Sequence, residues 1–311
     1  MKVLLLVNPF SSSVTARTRV VIRKALAGDH DVELVETARR GHATRLAQGA
    51  AADGVDVVVV LGGDGTVNEA ANGLAGTATA LGVLPGGSTN VFARTIGLPN
   101  DPVESTAVLL EAMEAGSIRR VGLGSVNGRY FCFHVGMGYD AALVEQVEKR
   151  SGLKRYAGHP LFAWAGITTW LTHYDHEHPH FSVRYPDGDR VDDGYFAVCC
   201  NTNPYTYVGN RAFDIAPEAN LENGLAIVTV RSLRLDRLLR VVVKALRANG
   251  SLAKDPAVHY RYDEPGLVVE GLDGKPFPYQ VDGDYLGEIT RLELRHVPDV
   301  MDLVMPLGTE A

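Results

Sequence analysis

Cysteine is scarce in this chain: Cys132 and the adjacent pair Cys199-Cys200 are the only thiols in 311 residues. Three cysteines cannot build a disulfide framework, and their spacing is not that of a zinc site. Such usage fits a cytoplasmic, reducing compartment. An excess of positive charge is also missing. Lys plus Arg number 30 against 37 Asp plus Glu, a formal charge of −7, so no global positive field exists to hold nucleic acid. No apolar run approaches the ~20 residues needed to cross a bilayer, and the longest uncharged stretch, residues 160–172, falls well short. The opening Met1-Lys2-Val3-Leu4-Leu5-Leu6-Val7-Asn8-Pro9 places a basic residue before an apolar run. That run is shorter than the roughly 7–15 residues of a signal-peptide core, and no small-residue cleavage site follows, so it reads as a buried first strand. Internal repeats and low-complexity segments are absent. With 46% hydrophobic and 22% charged residues, the balance excludes disordered and collagen-like classes.

Glycine is in excess. The 33 glycines are about one residue in ten, against a usual 7% or so. The length points to roughly two domains with a sizeable core. The first third alternates apolar runs (3–7, 55–61 and 81–84), lacking polar alternation as in a covered parallel sheet, with helical patterns at 15–27, 43–52 and 67–74. A helix over 102–115 carries its own punctuation, with Asp101 as N-cap, Pro102 first, Glu104 to complete a capping box and Gly116 after the end. Beyond Gly116 the texture turns β-rich. Asn127-Gly128 joins strands 119–126 and 129–135, and Pro186-Asp187-Gly188 separates strands 181–185 and 195–200. Further strands follow at 225–230, 266–272 and 289–295. These patterns predict an α/β domain over 1–118, a β-rich domain over 119–297, and a C-terminal segment, 298–311, that returns to the first.

The glycines concentrate at strand-to-helix turns. Gly62-Gly63-Asp64-Gly65-Thr66-Val67-Asn68-Glu69 follows a strand and opens a helix. There a backbone without side chains approaches phosphate, and free N–H groups face an anion. It is not a Walker A loop, since no Gly-Lys-Ser/Thr follows, nor the G-x-G-x-x-G of a dinucleotide turn. A second cluster, Pro85-Gly86-Gly87-Ser88-Thr89-Asn90, again follows a short strand. Asn8-Pro9-Phe10-Ser11-Ser12-Ser13 follows the first. Turns at the carboxyl ends of neighbouring strands line the ligand crevice of an open α/β sheet; a plain tight turn or helix cap is the alternative for each alone.

These residues resemble a known family. Asn8-Pro9, Thr37 with Gly41-His42-Ala43, the GGDGT element at 62–66 and the PGGSTN element at 85–90 are similar to the catalytic domain of bacterial diacylglycerol kinases and their sphingosine and ceramide kinase relatives. The likeness continues through Gly136-Met137-Gly138-Tyr139-Asp140-Ala141, residues 217–225 and Asp282-Gly283-Asp284, nearly the whole chain in order. GGDGT alone is shared with NAD kinases and phosphofructokinases, so the later elements carry the narrowing. The resemblance implies a phosphofructokinase- and NAD kinase-like α/β domain, a β-sandwich-rich second domain, and an ATP-dependent lipid kinase acting on the hydroxyl of diacylglycerol or a similar lipid alcohol. It implies that Gly62, Gly63, Asp64, Gly65, Thr66, Val67 and Asn68 bind the ATP phosphates, with Asp64 near their Mg²⁺. Asn8, Pro9, Phe10, Ser11, Ser12, Thr37, Ser88, Thr89 and Asn90 would complete the nucleotide site.

The family's general base is the last acid of an Asp-Gly-Glu element, so the resemblance assigns that role to Asp284, one methylene shorter. An Asx-stabilised β-turn is the alternative for this element. A structural Mg²⁺ site is implied at Asn220, Asn223 and Leu225. Asn223 stands where the family carries aspartate, and a neutral amide is a poorer ligand for a hard dication, with Glu222 as the substitute acid. Asp140 faces the substrate headgroup on the family reading, or is a turn acid. Rival functions are a kinase of a soluble hydroxyl compound such as NAD and a non-catalytic nucleotide- or lipid-binding regulator.

Residues 231–247 carry six basic side chains against Asp236. Leu235, Leu238, Leu239, Val242 and Leu246 fall on one helical face, with Arg237, Arg240, Lys244 and Arg247 opposite, so the helix either docks on anionic lipid or is simply solvated. The expected placement is cytoplasmic and peripheral on the inner membrane face, with a homodimer as one option. His173, His176, His178 and His180 read as a polar loop rather than a metal site, and Phe162, Trp164 and Trp170 as core or as a wall of an acyl-chain pocket.

Overall fold

The computed structural model describes residues 1–149, 174–245 and 252–309. Residues 160–172 with Phe162, Trp164 and Trp170, and also His173, Leu246 and Arg247, lie outside the described residues. The chain divides into two compact units, Met1–Leu123 with Val297–Ala311, and Gly124–His296.

The first unit is built on parallel strands β1 (Lys2–Val7), β2 (Asp31–Glu36), β3 (Val57–Gly62) and β4 (Ala80–Pro85), in the order β2-β1-β3-β4. Every residue of β3 and β4 is buried, which is why these segments read as unbroken apolar runs. Helices α1 (Ala16–Leu26), α2 (His42–Ala52), α3 (Asp64–Leu74), α4 (Val91–Thr95) and α5 (Pro102–Glu114) connect them. On one face, Ile22, Leu26, Leu109, Ala112 and Met113 of α1 and α5 pack on Val3, Leu5, Val57, Val59 and Leu61. The Asp101 carboxylate accepts the N–H groups of Val103 (2.8 Å) and Glu104 (2.9 Å), as expected of an N-cap. The Glu104 carboxylate makes no reciprocal bond among the described residues. The sequence reading passed over β2: it is an edge strand whose acidic residues alternate outward, so its apolar content is low.

The second unit holds two larger antiparallel sheets and a two-stranded ribbon of β11 (Thr206–Val208) and β12 (Arg211–Phe213). One has the order β14-β13-β10-β7-β16-β17, with β7 (His134–Gly138), β10 (Phe196–Cys200), β13 (Leu225–Val230), β14 (Val258–Glu264), β16 (Phe277–Val281) and β17 (Asp284–Ile289). The other joins β8 (Phe181–Arg184), β9 (Arg190–Gly194) and β15 (Gly266–Gly271) to the first half of β18 (Arg291–Val304). Their inner faces share one core, with Phe181, Val183, Val269, Leu292 and Leu294 against Val135, Ala197, Ile227, Phe277 and Val281. Alternate residues of β10 and β13, among them Val198, Cys200, Val228 and Val230, enter a second core beneath helix α7 (Leu235–Ala245). Both faces of those strands are thus buried.

Three expected elements differ. The turn at 186–188 connects β8 to β9 in one sheet, while 196–200 belongs to the other. The chain changes sheets at Gly194, where a Cβ would lie 2.4 Å from the Phe181 ring. Residues 139–148, unassigned from the sequence, form helix α6 (Tyr139–Glu148). The hairpin at Asn127-Gly128 forms between β5 (Ile118–Val126) and β6 (Arg129–Phe131), with φ of 47° and 83° at its two loop residues, but the expected strand 129–135 ends at Phe131 and His134 begins β7 in the other sheet. All three cysteines are buried and none forms a disulfide. No helix among the described residues is long and apolar enough to cross a membrane.

Candidate nucleotide and phosphoryl-transfer site

The turns after β3 and β4 lie side by side at the carboxyl end of the parallel sheet. The Gly86 N–H donates to the Gly62 carbonyl at 2.8 Å. A Cβ on Gly86 would stand 2.8 Å from both Cα and N of Gly62, and one on Gly87 would stand 2.8 Å from Cα of Gly63. Glycine is therefore required here because two backbones touch. The loop after β1 joins them: Ser13 donates from its N–H to the Gly86 carbonyl (2.9 Å) and from its hydroxyl to the Gly87 carbonyl (3.2 Å). The Asn8 amide donates to the Thr66 hydroxyl at 2.9 Å. Thr37, at the end of β2, is buried and bonds through its N–H to Val7. The four strand ends thus converge on one edge.

Helix α3 begins at Asp64, so Asp64, Gly65 and Thr66 form its first turn rather than a preceding loop. The first N–H groups of a helix have no intrahelical partner and carry the positive dipole end. Ser88 is exposed and Thr89 half-buried beside this turn, and neither hydroxyl is bonded within the described residues. Pro9 and Ser11 are half-buried, while Phe10 and Ser12 are exposed. Val67 and Asn68 are buried in the helix. Asn90 is committed inside its turn: at φ 52°, its carbonyl oxygen accepts the Gly87 N–H (2.7 Å) and its amide donates to Gly87 and Asn100.

The acids of the GGDGTVNE element do structural work that the sequence did not announce. The Asp64 carboxylate accepts N–H bonds from Val91 and Phe92, both 3.0 Å, at the start of α4. The Glu69 carboxylate accepts from Gly41 (2.7 Å) and Ala43 (3.1 Å) at the start of α2. Each side chain caps a neighbouring helix and so ties the turns together. Glu69 was in the motif, but its partners lie 26 and 28 residues away, so no local signal assigned it a role.

In the second unit, Asp282-Gly283 is the two-residue loop between β16 and β17, with φ of 49° and 82°. The expected turn forms, while the bonds from the Asp282 side chain to residues 132–134 are a long-range tie rather than an Asx contact within it. Its buried carboxylate accepts three N–H groups, from Cys132 (2.7 Å), Phe133 (3.0 Å) and His134 (3.0 Å). This anchors the loop and thereby fixes Asp284, half-buried at the first position of β17.

Asp140 sits in the first turn of α6, buried, with its oxygens accepting from the Tyr205 hydroxyl (2.7 Å) and the Gln280 amide (2.9 Å). Burial raises its carboxyl above the usual range, and these two hydrogen bonds act against that shift. A Cβ on Gly136 would overlap the Asp140 carboxylate, 1.6 Å from Oδ2, so the glycine makes room for the acid. Asp140 is thus neither a turn acid nor an open side chain.

The loop at 220–225 does not fit a metal. The Asn220 side-chain oxygen already accepts the N–H groups of Glu222 and Asn223, both at 2.9 Å, and Asn223 is neutral. Leu225 is the buried start of β13. No group of three or more His, Cys, Asp or Glu side chains suited to a metal occurs among the described residues. His178 and His180 instead fold around Asp175 in a polar loop.

A sequence profile of the diacylglycerol kinase catalytic domain matches residues 2–142. A probable lipid kinase YegS-like protein of Chromohalobacter salexigens is 30% identical over 281 residues, 88% of this chain and 86% of that one. The diacylglycerol kinase of Bacillus subtilis is 29% identical over 288 residues, 90% of this chain and 89% of its own. The crystal structure of a diacylglycerol kinase from Bacillus anthracis matches with a TM-score of 0.74 at 20% identity, over 99% of this chain and 98% of that one. An NAD kinase from Archaeoglobus fulgidus in complex with ATP matches at 0.53 and 11% identity, over 99% and 94%. These structural likenesses bear on the fold, and the expected NAD kinase-like α/β domain with a strand-rich second part is the one found.

Proposed function

Because the chain belongs to the family of the diacylglycerol kinase catalytic domain, we propose that it is an ATP-dependent lipid kinase transferring the γ-phosphoryl group to the hydroxyl of diacylglycerol, or of a similar lipid alcohol. The observation that carries this reading is the fused pair of glycine turns opening on the first turn of α3. An anion held there meets N–H groups and the helix dipole with no side chain in the way. Ser88 and Thr89 offer hydroxyl donors beside it, and the Asn8–Thr66 bond fixes the facing loop.

A magnesium ion accompanying the nucleotide would neutralise charge on the transferred group, and on this reading Asp64 would be the acid beside it. The lipid hydroxyl oxygen attacks the γ-phosphorus as the bond to the leaving ADP oxygen breaks. Asp284, fixed by the Asp282 anchor, orients that hydroxyl and accepts its proton late, as suits a loose transition state. The products are ADP and phosphatidic acid. No step is routed through the 220–225 loop.

The test is transfer of labelled γ-phosphate into vesicles containing diacylglycerol, with NAD as a parallel acceptor. Asp284→Asn is expected to lower lipid phosphorylation by about 10²–10⁴-fold with ATP affinity unchanged. Equal turnover by both proteins removes the base assignment, and transfer to NAD but not to lipid removes the lipid reading.

A further inference from the structure

Most of the described apolar stripe of α7 faces solvent: Leu235 is 51% exposed, Leu239 55% and Val242 37%, with Val243 beside them at 45%, while Leu238 is half-buried. The helix is held by another face, where Val241 and Ala245 enter the core beneath it. Lys244 reinforces that orientation by pairing at 2.9 Å with the buried Asp255 carboxylate. One short helix therefore has two apolar sides, and among the described residues only one is covered.

The same helix and the turn before it are basic, with Arg231, Arg234 and Arg240 exposed. Arg231, Arg234, Arg237, Arg240 and Lys244 lie on or just before α7, with Lys254 exposed on the turn Leu252–Lys254 that packs against it. The acids nearby are Asp193, Asp236 and Asp255, each paired with members of this set, and Asp214, whose N–H donates to the Ala245 carbonyl at 2.9 Å. The patch thus keeps a local charge of +2 on a chain whose formal charge is −7. An outward apolar stripe with exposed arginines on and just before the same helix, on a molecule otherwise acidic, matches a surface that is negative and has an oily interior.

We propose that this face of α7 docks the protein on an anionic lipid bilayer, with Leu235, Leu239, Val242 and Val243 entering the headgroup boundary and Arg234, Arg237 and Arg240 meeting lipid phosphates. The inference deepens the lipid-kinase reading and rests on it for its purpose, since the substrate must be reached in a membrane. The docking itself is measurable without turnover.

The experiment is co-sedimentation of the full chain with vesicles of phosphatidylcholine alone, and of phosphatidylcholine with phosphatidylglycerol. Wild type is expected to bind the anionic vesicles and to release them as salt rises. Leu235→Ser/Leu239→Ser/Val242→Ser is expected to weaken that partition about tenfold or more, and Arg234→Gln/Arg237→Gln/Arg240→Gln to weaken it and flatten the salt dependence. Phosphorylation of a short-chain diacylglycerol dissolved as monomer stays within about twofold of wild type for both, because the changes are on an exposed helix face. Should the triple variant fail to fold, Leu239→Ser alone gives the same reading. Unchanged vesicle partition in the apolar variant overturns the proposal. So does a shift from dimer to monomer by light scattering with partition unchanged, which assigns the face to a second copy. Vesicle binding lost in the variants of a protein that phosphorylates no lipid keeps the docking and removes the kinase reading.

Discussion

Gly136 is the residue whose replacement is expected to cost most for its size. An alanine there would drive its methyl into the Asp140 carboxylate and to 2.5 Å from the Gln280 amide. Gly136→Ala is therefore expected to destabilise the protein by about 1–3 kcal/mol through overpacking, read as a lower urea midpoint with an unchanged slope. His134 sets a pH limit. Fully buried, with its Nδ1 unbonded and its ring 4.3 Å from that of Tyr205, it is pushed down to a pKa of about 3. The unfolded chain takes up this proton near its ordinary value of 6.5, so stability is lost as pH falls from 6.5 toward 3, by about 1.4 kcal/mol per unit. At pH 5 the loss is about 2 kcal/mol. His134→Gln is expected to flatten the thermal midpoint against pH across that window, while an unaltered slope would assign the acid sensitivity elsewhere.

At the scale of elements, the turn after β3 works as a knot. Asp64 caps α4 and Glu69 caps α2 from within α3, so one helix fixes the starts of two others. Glu69→Ala is expected to cost about 1–2 kcal/mol by leaving the Gly41 and Ala43 N–H groups without their acceptor, seen in thermal unfolding. Asp64→Asn keeps one acceptor and should cost about 1 kcal/mol in stability. Its loss of lipid phosphorylation is expected to be far larger, because an amide is a poor magnesium ligand. Equal, small losses in both would make Asp64 a cap and nothing more. The glycine turns were legible because their spacing follows from local chain geometry. The caps were not, since each joins residues 26 to 28 positions apart.

For the molecule as a whole, the chain leaves the first unit through β5 and returns to it through β18. Met301, Leu303, Val304 and Met305 are each at most 1% exposed in the first unit's core. Ending the chain after His296 removes all four. At about 2–5 kcal/mol apiece for large-to-small changes, that exceeds the roughly 5–15 kcal/mol by which a native protein is stable. The truncated chain is expected to lose the first unit's cooperative unfolding in calorimetry. The sequence by itself determined three of the four parallel strands, the hairpin turn at Asn127-Gly128 and the glycine turns, because burial on both faces, left-handed backbone and helix starts all impose local residue types. Only the tertiary structure decided what Asp64, Glu69 and Asp282 hold, and which side of α7 is covered. Helical period shows which residues share a face, but the face turned inward is chosen by what else packs there: Val241 and Ala245 over the sheet, with Lys244 drawn to Asp255, and Leu235 and Leu239 left to solvent.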